Sequence, residues 1–417
     1  MQADASVNPT VGPVTFTSYQ KFLIGLLAFL QFTVILDFMI MSPLGAVMMP
    51  ALKMVPSQFG IVVSAYAFSA GISGILAAGF ADRYDRKKFL IFFYCGFLLG
   101  TLFCGFATSY EYMLIARMVT GLFGGVIGSV VLAITADLFP ISLRGRVMGV
   151  VQSSFAASQV LGIPIGLYLT NLWGWHAPFF MIVGISSVVG VVILIYLKPI
   201  NEHLKNKNDK NAYHHLSTTV TNKKYLLAFL TTMLLSTGGF MLMPFGSDFT
   251  VNNIGINVKD LPLMYLITGI AAFFTGPLVG ALSDKMGALK TFIFGGSLSI
   301  VMVLIYTNLG QTPLAMVILV NSVLFVGIFS RMIPSQTIMS VIPQQTDRGA
   351  FMAVSSSLQQ ISGGFAAVIA GMIVIKETNG KLIHFNRLGY ILVGTTLITM
   401  VMMIYIDRKY FRPKKAQ

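Results

Sequence analysis

Long apolar runs alternate with short polar connections along almost the whole chain. The apolar runs lie at roughly 22–49, 59–80, 89–107, 112–138, 145–169, 178–197, 225–245, 261–282, 289–309, 314–341, 349–375 and 388–406. An α-helix crosses the hydrocarbon core of a bilayer with about 20 residues, and each run is close to or above that length. The pattern therefore predicts an all-α polytopic membrane protein with twelve transmembrane helices.

The composition excludes the soluble classes of protein. Of the 417 residues, 55% are hydrophobic and 10% are charged, with a mean hydropathy of +0.80, whereas soluble proteins carry about 25% charged residues. Both cysteines, Cys95 and Cys104, fall in one apolar run, which excludes a disulfide-stapled domain. The sequence has no HExxH, CxxC or phosphate-loop pattern, so we expect no enzyme activity, no metal and no cofactor, with a proton as coupling ion.

The basic residues are concentrated in alternate connections, and the net charge is +14. They follow the second run at 83–88, the fourth at 144–146 and the sixth at 198–224, and they close the chain at 408–415. The positive-inside rule then places both termini in the cytoplasm of a multi-pass protein of a bacterial-type cytoplasmic (inner) membrane. Because the basic residues are divided among separate connections and form no single patch, nucleic-acid binding is excluded, and the expected partners are a small-molecule substrate and the lipid bilayer.

The longest polar stretch falls almost at the midpoint of the chain and separates six apolar runs from six. It predicts a linker between two six-helix halves that together form a pathway, so we expect a monomer to suffice without an obligatory protein partner. The expected organisation is a disordered cytoplasmic tail at 1–19, bundles at 20–198 and 225–407, a cytoplasmic linker at 199–224 and a basic tail at 408–417.

Short motifs recur between the two halves at a nearly constant offset. Asp82-Arg83 after the second run is matched by Asp284-Lys285 after the eighth, 202 positions later. Arg144-Gly145 after the fourth run recurs as Arg348-Gly349 after the tenth, 204 positions later. We therefore expect two parallel halves related by an axis along the membrane normal.

These motifs resemble the signatures of the major facilitator superfamily. Gly280–Gly287 is similar to the loop signature of that family, and Ala78–Lys88 is similar to its copy in the first half. Ile115–Gly121 resembles the fourth-helix signature, in which an arginine lies inside the membrane. Gly162–Gly166 in the fifth span resembles the twelve-span drug and sugar efflux branch.

The resemblance implies two pseudo-symmetric six-helix bundles around a central cavity that opens alternately to each side. It implies a secondary active transporter for a drug-like or sugar-like solute, with multidrug efflux by proton antiport as the expected mode. Two alternatives stay open. One is a proton symporter or uniporter that imports a small organic solute, and the other is a membrane receptor that binds without translocation.

Two oppositely charged residues are expected at the same depth in the membrane. Asp37 lies roughly 22 Å from the cytoplasmic end of the first span, and Arg117 lies about 8 Å from the outer end of the fourth. An ionisable residue inside a bilayer costs at least about 2.5–3.5 kcal/mol. We predict that Asp37 is the proton-coupling carboxylate and Arg117 its partner. The alternatives are a structural hydrogen bond for Asp37 and snorkelling for Arg117.

The loop aspartates are expected to act as conformational latches. In the family that the sequence resembles, such carboxylates face the amino-terminal end of a helix in the other half. Asp82 would then hold the eleventh span and Asp284 the fifth, closing the outward-facing state, with a surface salt bridge as the alternative. The predicted latch comprises Asp82, Arg83, Asp137, Arg144, Asp284, Lys285 and Arg348.

Polar residues within spans favour protein or water over lipid, so they are candidates for the lining of a central cavity. The predicted set is Gln31, Thr33, Ser154, Gln159, Asn321, Arg331, Gln336, Gln359 and Gln360. Hydrogen bonding between helices is the alternative for most of them. Arg331 lies near the cytoplasmic end of the tenth span, where snorkelling is favoured over binding of an anionic or hydroxylated substrate.

The fifth span carries Pro164 between Gly162 and Gly166. These three residues predict a helix kink, with close packing of small residues as the alternative.

Overall fold

The computed structural model describes residues 16–80, 83–201, 204, 212–344 and 347–411. The helices before the linker are α1 Ser18–Ala51, α2 Pro56–Phe80, α3 Arg86–Gly105, α4 Tyr110–Leu138, α5 Ile141–Ala157, α6 Ile163–Trp173 and α7 Ala177–Tyr196. Those that follow are α8 Ala212–Thr221, α9 Lys223–Leu242, α10 Gly246–Asn252, α11 Leu261–Met286, α12 Ala288–Thr307, α13 Leu314–Met339, α14 Arg348–Ile373 and α15 Phe385–Ile406. Between α14 and α15, β1 Ile375–Lys376 and β2 Leu382–Ile383 form an antiparallel hairpin.

Eleven stretches of the described residues are long and apolar enough to span a membrane. Two spans are composite: α5 continues through a π-helical turn, Ser158–Gly162, into α6, and α9 continues through Met243–Phe245 into α10. The twelfth span, α14, has 26 residues and a length of about 39 Å, but one of its faces is polar. The prediction of an all-α polytopic membrane protein with twelve spans is confirmed.

Helices α1–α7 pack together as the first bundle and α9–α15 as the second bundle. Because α1 begins and α15 ends at the same end of the molecule, we call that end the tail side and the opposite end the far side. The sequence predicted only a linker at 199–224, but the structure places α8 there, in contact with α2 and α14.

The two copies of the repeated loop turn by different means. Gly287 joins α11 to α12 with φ of 92°, a conformation that favours glycine. At the corresponding place in the first copy, Asp85 has φ of −55° and caps α3. Its carboxylate accepts hydrogen bonds from the backbone N–H groups of Lys88 at 3.0 Å and Ile200 at 3.1 Å. An N-cap therefore replaces the glycine turn in the first bundle.

On the far side, the two bundles pack tightly along α2 and α14. A Cβ atom at Gly60 would lie 2.5 Å from a carbonyl oxygen of α14, and one at Gly371 would lie 2.8 Å from a carbonyl oxygen of α2. About one turn further along α2, Ser64 donates a hydrogen bond to the carbonyl oxygen of Gly364 at 2.9 Å. Glycine lets the two backbones approach more closely than a larger residue would permit.

A second far-side contact joins α1 to the start of α10. The hydroxyl of Ser42 donates a hydrogen bond to the carbonyl oxygen of Met243. The hydroxyl of Ser247 donates to the carbonyl oxygen of Ser42 at 2.9 Å. The β-hairpin is fastened nearby, where Lys376 pairs with the buried Asp248 at 2.8 Å. The far side is therefore closed by contacts of α1, α2, α10 and α14.

On the tail side, the bundles part between α5 and α11. Helix α11 packs against the π-helical turn and α6, where a Cβ atom at Gly269 would lie 2.9 Å from the carbonyl oxygen of Gln159. It makes few contacts with α5, which forms the tail-side part of the same span. The space between the bundles therefore opens towards the tail side.

Candidate functional site

An ion pair lies fully buried inside the first bundle. Arg117 on α4 donates from Nη1 to Oδ2 of Asp37 on α1 at 2.8 Å, and both side chains are 0% exposed. The hydroxyl of Thr101 on α3 donates to the other carboxylate oxygen of Asp37 at 3.1 Å. The structure thus joins the two charged residues whose predicted depths coincide.

Close helix packing positions these three side chains. A Cβ atom at Gly100 of α3 would lie 2.6 Å from Oγ1 of Thr120 on α4, and one at Gly121 would meet the backbone of Tyr66 on α2. Small residues at helix contacts allow close backbone approach in a membrane protein. The glycines therefore hold α4 against α2 and α3 and direct Arg117 into the bundle interior.

The hydrogen-bonding capacity of the ion pair is only partly used. Within the described residues, Nε and Nη2 of Arg117 have no hydrogen-bond partner, although its guanidinium carbon lies 4.5 Å from the ring centroid of Tyr66. Removing one partner of a buried ion pair typically costs about 3–5 kcal/mol, because the other charge is left uncompensated. A proton on Asp37 would neutralise its carboxylate and remove its attraction to Arg117, so the strength of this ion pair depends on a single proton.

Aromatic rings connect the ion pair to the second bundle. The ring of Phe38, next to Asp37 in the chain, lies 5.3 Å from that of Tyr66 and 5.7 Å from that of Phe240 on α9. Phe240 in turn packs against Gly363 of α14. Sequence analysis missed these rings because aromatic residues are frequent in every span and no spacing distinguishes these three.

An accessible polar face lies on the tail-side half of α14. Met352, Ser356 and Gln359 share this face and are exposed, and Gln360 is half-buried beside them. The exposed residues on the opposite face, nearer the far side, are apolar: Phe365, Ile369 and Met372. Gln359, with Gln360 beside it, thus lies away from the exposed apolar face of α14.

Two residues of the predicted cavity set are packed between helices instead. The hydroxyl of Thr33 lies 3.1 Å from that of Tyr94 on α3, and Ser154 donates to the carbonyl oxygen of Ala28 on α1 at 2.6 Å. Thr33 is 1% exposed and Ser154 is 4% exposed. In this conformation neither residue lines the cavity, contrary to the prediction, because a neighbouring helix satisfies each hydroxyl.

Four amide side chains of the same set differ in their surroundings. Oε1 of Gln31 is buried and has no hydrogen-bond partner within the described residues. Gln159 is buried where α11 approaches the π-helical turn, and Asn321 donates to the carbonyl oxygen of Val317 at 3.1 Å. Gln336 is exposed near the tail-side end of α13. Among these four residues, only Gln336 is exposed.

Arg331 does not snorkel. It is 6% exposed, and its Nη1 donates to the hydroxyl of Thr396 on α15 at 2.7 Å. Helix α13 runs from the far side to the tail side, and side chains lean towards the N-terminus of their helix. The guanidinium therefore leans away from the tail-side headgroups, which makes the favoured interpretation of snorkelling wrong.

The predicted latch residues at the repeated loops make no cross-bundle contact within the described residues. Asp284 and Lys285 are exposed at the tail-side end of α11, and Arg83 is exposed before α3. Asp82 lies outside the described residues. Helix α5 begins at Ile141 without a side-chain cap, so its first backbone N–H groups are available to donate to the carboxylate of Asp284 when α5 and α11 close. The latch role stays a prediction.

The remaining latch candidates act within their own bundles or face solvent. Asp137 at the end of α4 pairs with Arg86 at the start of α3 at 2.9 Å. Arg144 donates to two carbonyl oxygens near the end of α4, at 2.6 and 2.9 Å. Arg348 is exposed at the start of α14. In this conformation Asp137 and Arg144 therefore brace the tail-side end of α4.

The predicted kink coincides with a backbone irregularity. The π-helical turn Ser158–Gly162 immediately precedes α6, whose second residue is Pro164. Such turns are common sites of helix bending. Gly162 and Gly166 also pack against leucine and isoleucine side chains of α1. The close packing that the sequence allowed is therefore present and an irregular turn lies at the predicted place, while the kink itself stays a prediction.

Two helical bundles that pack together on the far side and part on the tail side have the architecture of a membrane transporter. The chain belongs to the Major Facilitator Superfamily, whose sequence profile matches residues 27–367 and 228–415.

Curated relatives include several transporters of Bacillus subtilis (strain 168). The chain is 27% identical to the uncharacterized MFS-type transporter YceJ over 268 residues, which cover 64% of this chain and 67% of that protein. It is 23% identical to Multidrug resistance protein 2 over 358 residues, which cover 83% and 86%. A shorter match to Multidrug resistance protein 3 is 32% identical over 152 residues, or 36% of this chain and 30% of that protein.

Solved structures of transporters share the fold. A bacterial homologue of the human lysosomal transporter Spinster, in an inward-facing and occupied conformation, matches with a TM-score of 0.74 and 13% identity over 95% of this chain and 99% of that chain. The nucleoside transporter NupG matches with a TM-score of 0.70 and 15% identity over 94% and 100%. At these identities the likeness concerns the fold alone.

Proposed function

We propose that this protein exports a small organic solute, drug-like or sugar-like, in exchange for protons. The buried pair of Asp37 and Arg117 carries the proposal, because it places a protonatable group where one proton changes the charge of the membrane interior. The similarity to two multidrug resistance proteins supports export as the direction.

Protonation of Asp37 is the proposed coupling step. In the ionised state the carboxylate holds Arg117 at 2.8 Å and joins α1 to α4. A proton removes most of the Coulomb attraction, which amounts to several kcal/mol at about 3 Å in a protein interior. Phe38 adjoins Asp37 and contacts Phe240 of the second bundle, so a shift of α1 would reach the bundle interface directly.

The direction of the cycle follows from the orientation in the membrane. The tail side is proposed to face the cytoplasm, where the positive-inside rule places both termini. The conformation is then inward-facing, and solute enters beside the polar face of α14. When α5 closes onto α11, Asp284 reaches the uncapped start of α5, a position worth about 0.3–1 kcal/mol to a carboxylate. The far-side contacts of α2 and α14 must part at the same time.

A bacterial-type cytoplasmic membrane is the proposed location, because its inward-directed proton gradient would drive export. The proton is the proposed coupling ion, and no other cofactor is needed. Both bundles belong to one chain, so a monomer contains the whole pathway.

The test uses purified full-length protein in sealed, oriented vesicles with an internal pH dye and an imposed proton gradient. Lipophilic cations, sugars and amino acids are added one class at a time. We expect the active solute to evoke proton flow in the opposite direction. Asp37→Asn should lose this flow but retain downhill exchange of the solute. Glu111→Gln removes an exposed carboxylate at the start of α4 and should behave like the wild type.

The other outcomes would contradict the proposal. Undiminished uphill transport by Asp37→Asn would show that Asp37 is not the proton-coupling residue. Protons that move with the solute would indicate a symporter, and solute movement without protons would indicate a uniporter. Saturable binding without any crossing would indicate a receptor.

A further inference from the structure

A guanidinium group in the second bundle is buried without a counter-charge. Arg331 is 6% exposed, and Nη1 donates to the uncharged hydroxyl of Thr396 at 2.7 Å. Its Nε has no hydrogen-bond partner, and the side chain forms no ion pair, within the described ranges 16–80, 83–201, 212–344 and 347–411. An arginine inside a membrane protein normally pairs with an acid or with backbone carbonyls.

The guanidinium lies near mid-membrane depth. Thr396 is ten residues before the tail-side end of α15, or about 15 Å along that helix. A Cβ atom at Gly238 of α9 would lie 3.6 Å from Nη2 of Arg331, and Gly238 is about 22 Å from the tail-side start of its helix. With a hydrocarbon core of about 30 Å, headgroup phosphates are too distant to balance the charge.

The internal repeat indicates what the second bundle lacks. Asp37 and Gly238 are 201 positions apart, within three residues of the 202 to 204 that separate the repeated motifs. In the first bundle, the arginine of the fourth span meets an aspartate on the first span. In the second bundle, Arg331 of the tenth span is 214 positions after Arg117, so the two arginines are not repeat equivalents, but a Cβ atom at Gly238 would lie 3.6 Å from Nη2 of Arg331. The second bundle therefore has an intramembrane arginine without an acid opposite it.

We propose that Arg331 and Thr396 bind a small monovalent anion, such as chloride or formate, in the interior of the second bundle. Arg331 supplies charge and free N–H donors, and the hydroxyl of Thr396 can donate its own hydrogen to the anion. Leu392 occupies the space beside Gly238, and Arg331 is almost fully buried. The surroundings of Arg331 therefore exclude a drug-sized solute and restrict the ligand to a small ion. The proposal is independent of proton-driven export.

Anion-dependent stability tests the proposal, since a ligand that binds the folded state raises its melting temperature. Thermal unfolding of the purified full-length protein is measured in sodium chloride, sodium formate and sodium gluconate at equal ionic strength. We expect a saturable rise in Tm of several degrees with chloride or formate over the bulkier gluconate. Arg331→Gln should lose this rise. Arg387→Gln, at an exposed arginine at the far-side start of α15, should keep it.

A second variant tests the site independently, in case Arg331→Gln does not fold. Thr396→Asp places a carboxylate against Nη1 of Arg331, so the protein should be stable in gluconate and insensitive to chloride. Thr396→Ser keeps the hydroxyl and should keep the rise in Tm. Line broadening of the chloride NMR signal gives a direct measure, and it should occur with the wild type and vanish with Thr396→Asp.

Two results would overturn the anion site. One is equal stability of the wild type in the three salts, and the other is a chloride effect that survives Thr396→Asp. Because no transport is measured, Asp37→Asn should retain the chloride effect even though it loses proton exchange. Failure of the anion site and failure of the proposed export are therefore distinguishable.

Discussion

Tyr66 compensates for donors that Arg117 leaves unused. The guanidinium lies over the ring at 4.5 Å, while Nε and Nη2 find no hydrogen-bond partner in the described part of the chain. A cation–π contact is worth about 0.5–1 kcal/mol at the surface and about 2 kcal/mol or more when it is desolvated. At this buried position the ring face therefore contributes to holding Arg117 beside Asp37.

Two substitutions of Tyr66 distinguish the contribution of its ring from that of its hydroxyl. Tyr66→Phe keeps the ring face and should unfold close to the wild type, whereas Tyr66→Leu should lose about 2 kcal/mol of stability. Thermal and denaturant unfolding of the purified protein measure the difference. In an Arg117→Gln background, the difference in stability between Tyr66→Phe and Tyr66→Leu should be smaller, because the cation that contacts the ring is absent. An equal loss in both variants would assign the effect to the hydroxyl.

At the scale of single residues, the contact of the charged pair could be predicted, whereas the surroundings of the hydroxyl groups could not. Asp37 and Arg117 have opposite charges at one depth, and the cost of leaving either unpaired in a membrane is high. Thr33 and Ser154 were misplaced because the chain pattern does not tell a water-facing hydroxyl from one bonded across a helix contact. The outcome for Arg331 did follow from a rule available beforehand, the lean of side chains towards the helix N-terminus.

Among the elements, α2 and α14 form the contact that closes the far side. Gly60 and Gly371 bring the two backbones together, and the hydroxyl of Ser64 bonds across them. A β-carbon at either glycine would meet backbone atoms, which cannot move aside as a flexible side chain can. The tail-open conformation therefore depends on the absence of side chains at these two positions.

Gly60→Ala should shift the protein away from the tail-open conformation. Overpacking typically costs about 1–3 kcal/mol, which corresponds to roughly a 5- to 150-fold change in a conformational equilibrium. Spin labels at Val55→Cys and Ile375→Cys, both exposed on the far side, measure the separation of the bundles. Gly128→Ala is the matched control, because a Cβ atom there has open space around it. Identical distance distributions for both variants would contradict this role of Gly60.

Two elements show where pattern-based prediction reaches its limit. Helix α14 was predicted as a span although its polar face keeps its hydropathy below that of the other eleven. The length of this segment between two polar loops was sufficient to predict a span. Helix α8 was not predicted, although Ala212, Leu216 and Val220 recur every four residues, because an isolated helix of ten residues is marginally stable and this one depends on contacts with α2 and α14.

Across the whole molecule, the bundles touch on the far side and part between α5 and α11 on the tail side. The exposed carboxylate of Asp284 and the uncapped start of α5 stand on opposite edges of that opening. A carboxylate and a helix N-terminus attract each other, so closure of the opening is expected to bring them together.

Asp284→Asn should therefore favour the tail-open state. A loss of about 0.3–1 kcal/mol predicts roughly a two- to fivefold fall in the ratio of tail-closed to tail-open molecules. Spin labels at Arg146→Cys and Met286→Cys report the distance between α5 and α11. Asp260→Asn, at a carboxylate on the far side, should leave the distribution unchanged. If Asp284→Asn also leaves it unchanged, the helix-terminus latch does not exist at this position.

The architecture of the molecule was predictable because span length, basic connections and the internal repeat each act over many residues. The direction of the opening was not predictable, since one sequence can pack α2, α5, α11 and α14 in two ways, each open to a different side. That choice depends on small differences between two packings of one sequence.

The ion pair belongs entirely to α1, α3 and α4, whereas the accessible polar face belongs to α14 in the other bundle. This separation bears on how such a protein evolves. Under the proposed function, substitutions along the face of Ser356 and Gln359 alter which solute is accepted without changing Asp37 or Arg117. Under the same proposal, a lineage can therefore change its substrate and keep the proton as its energy source, with natural selection acting on one bundle at a time.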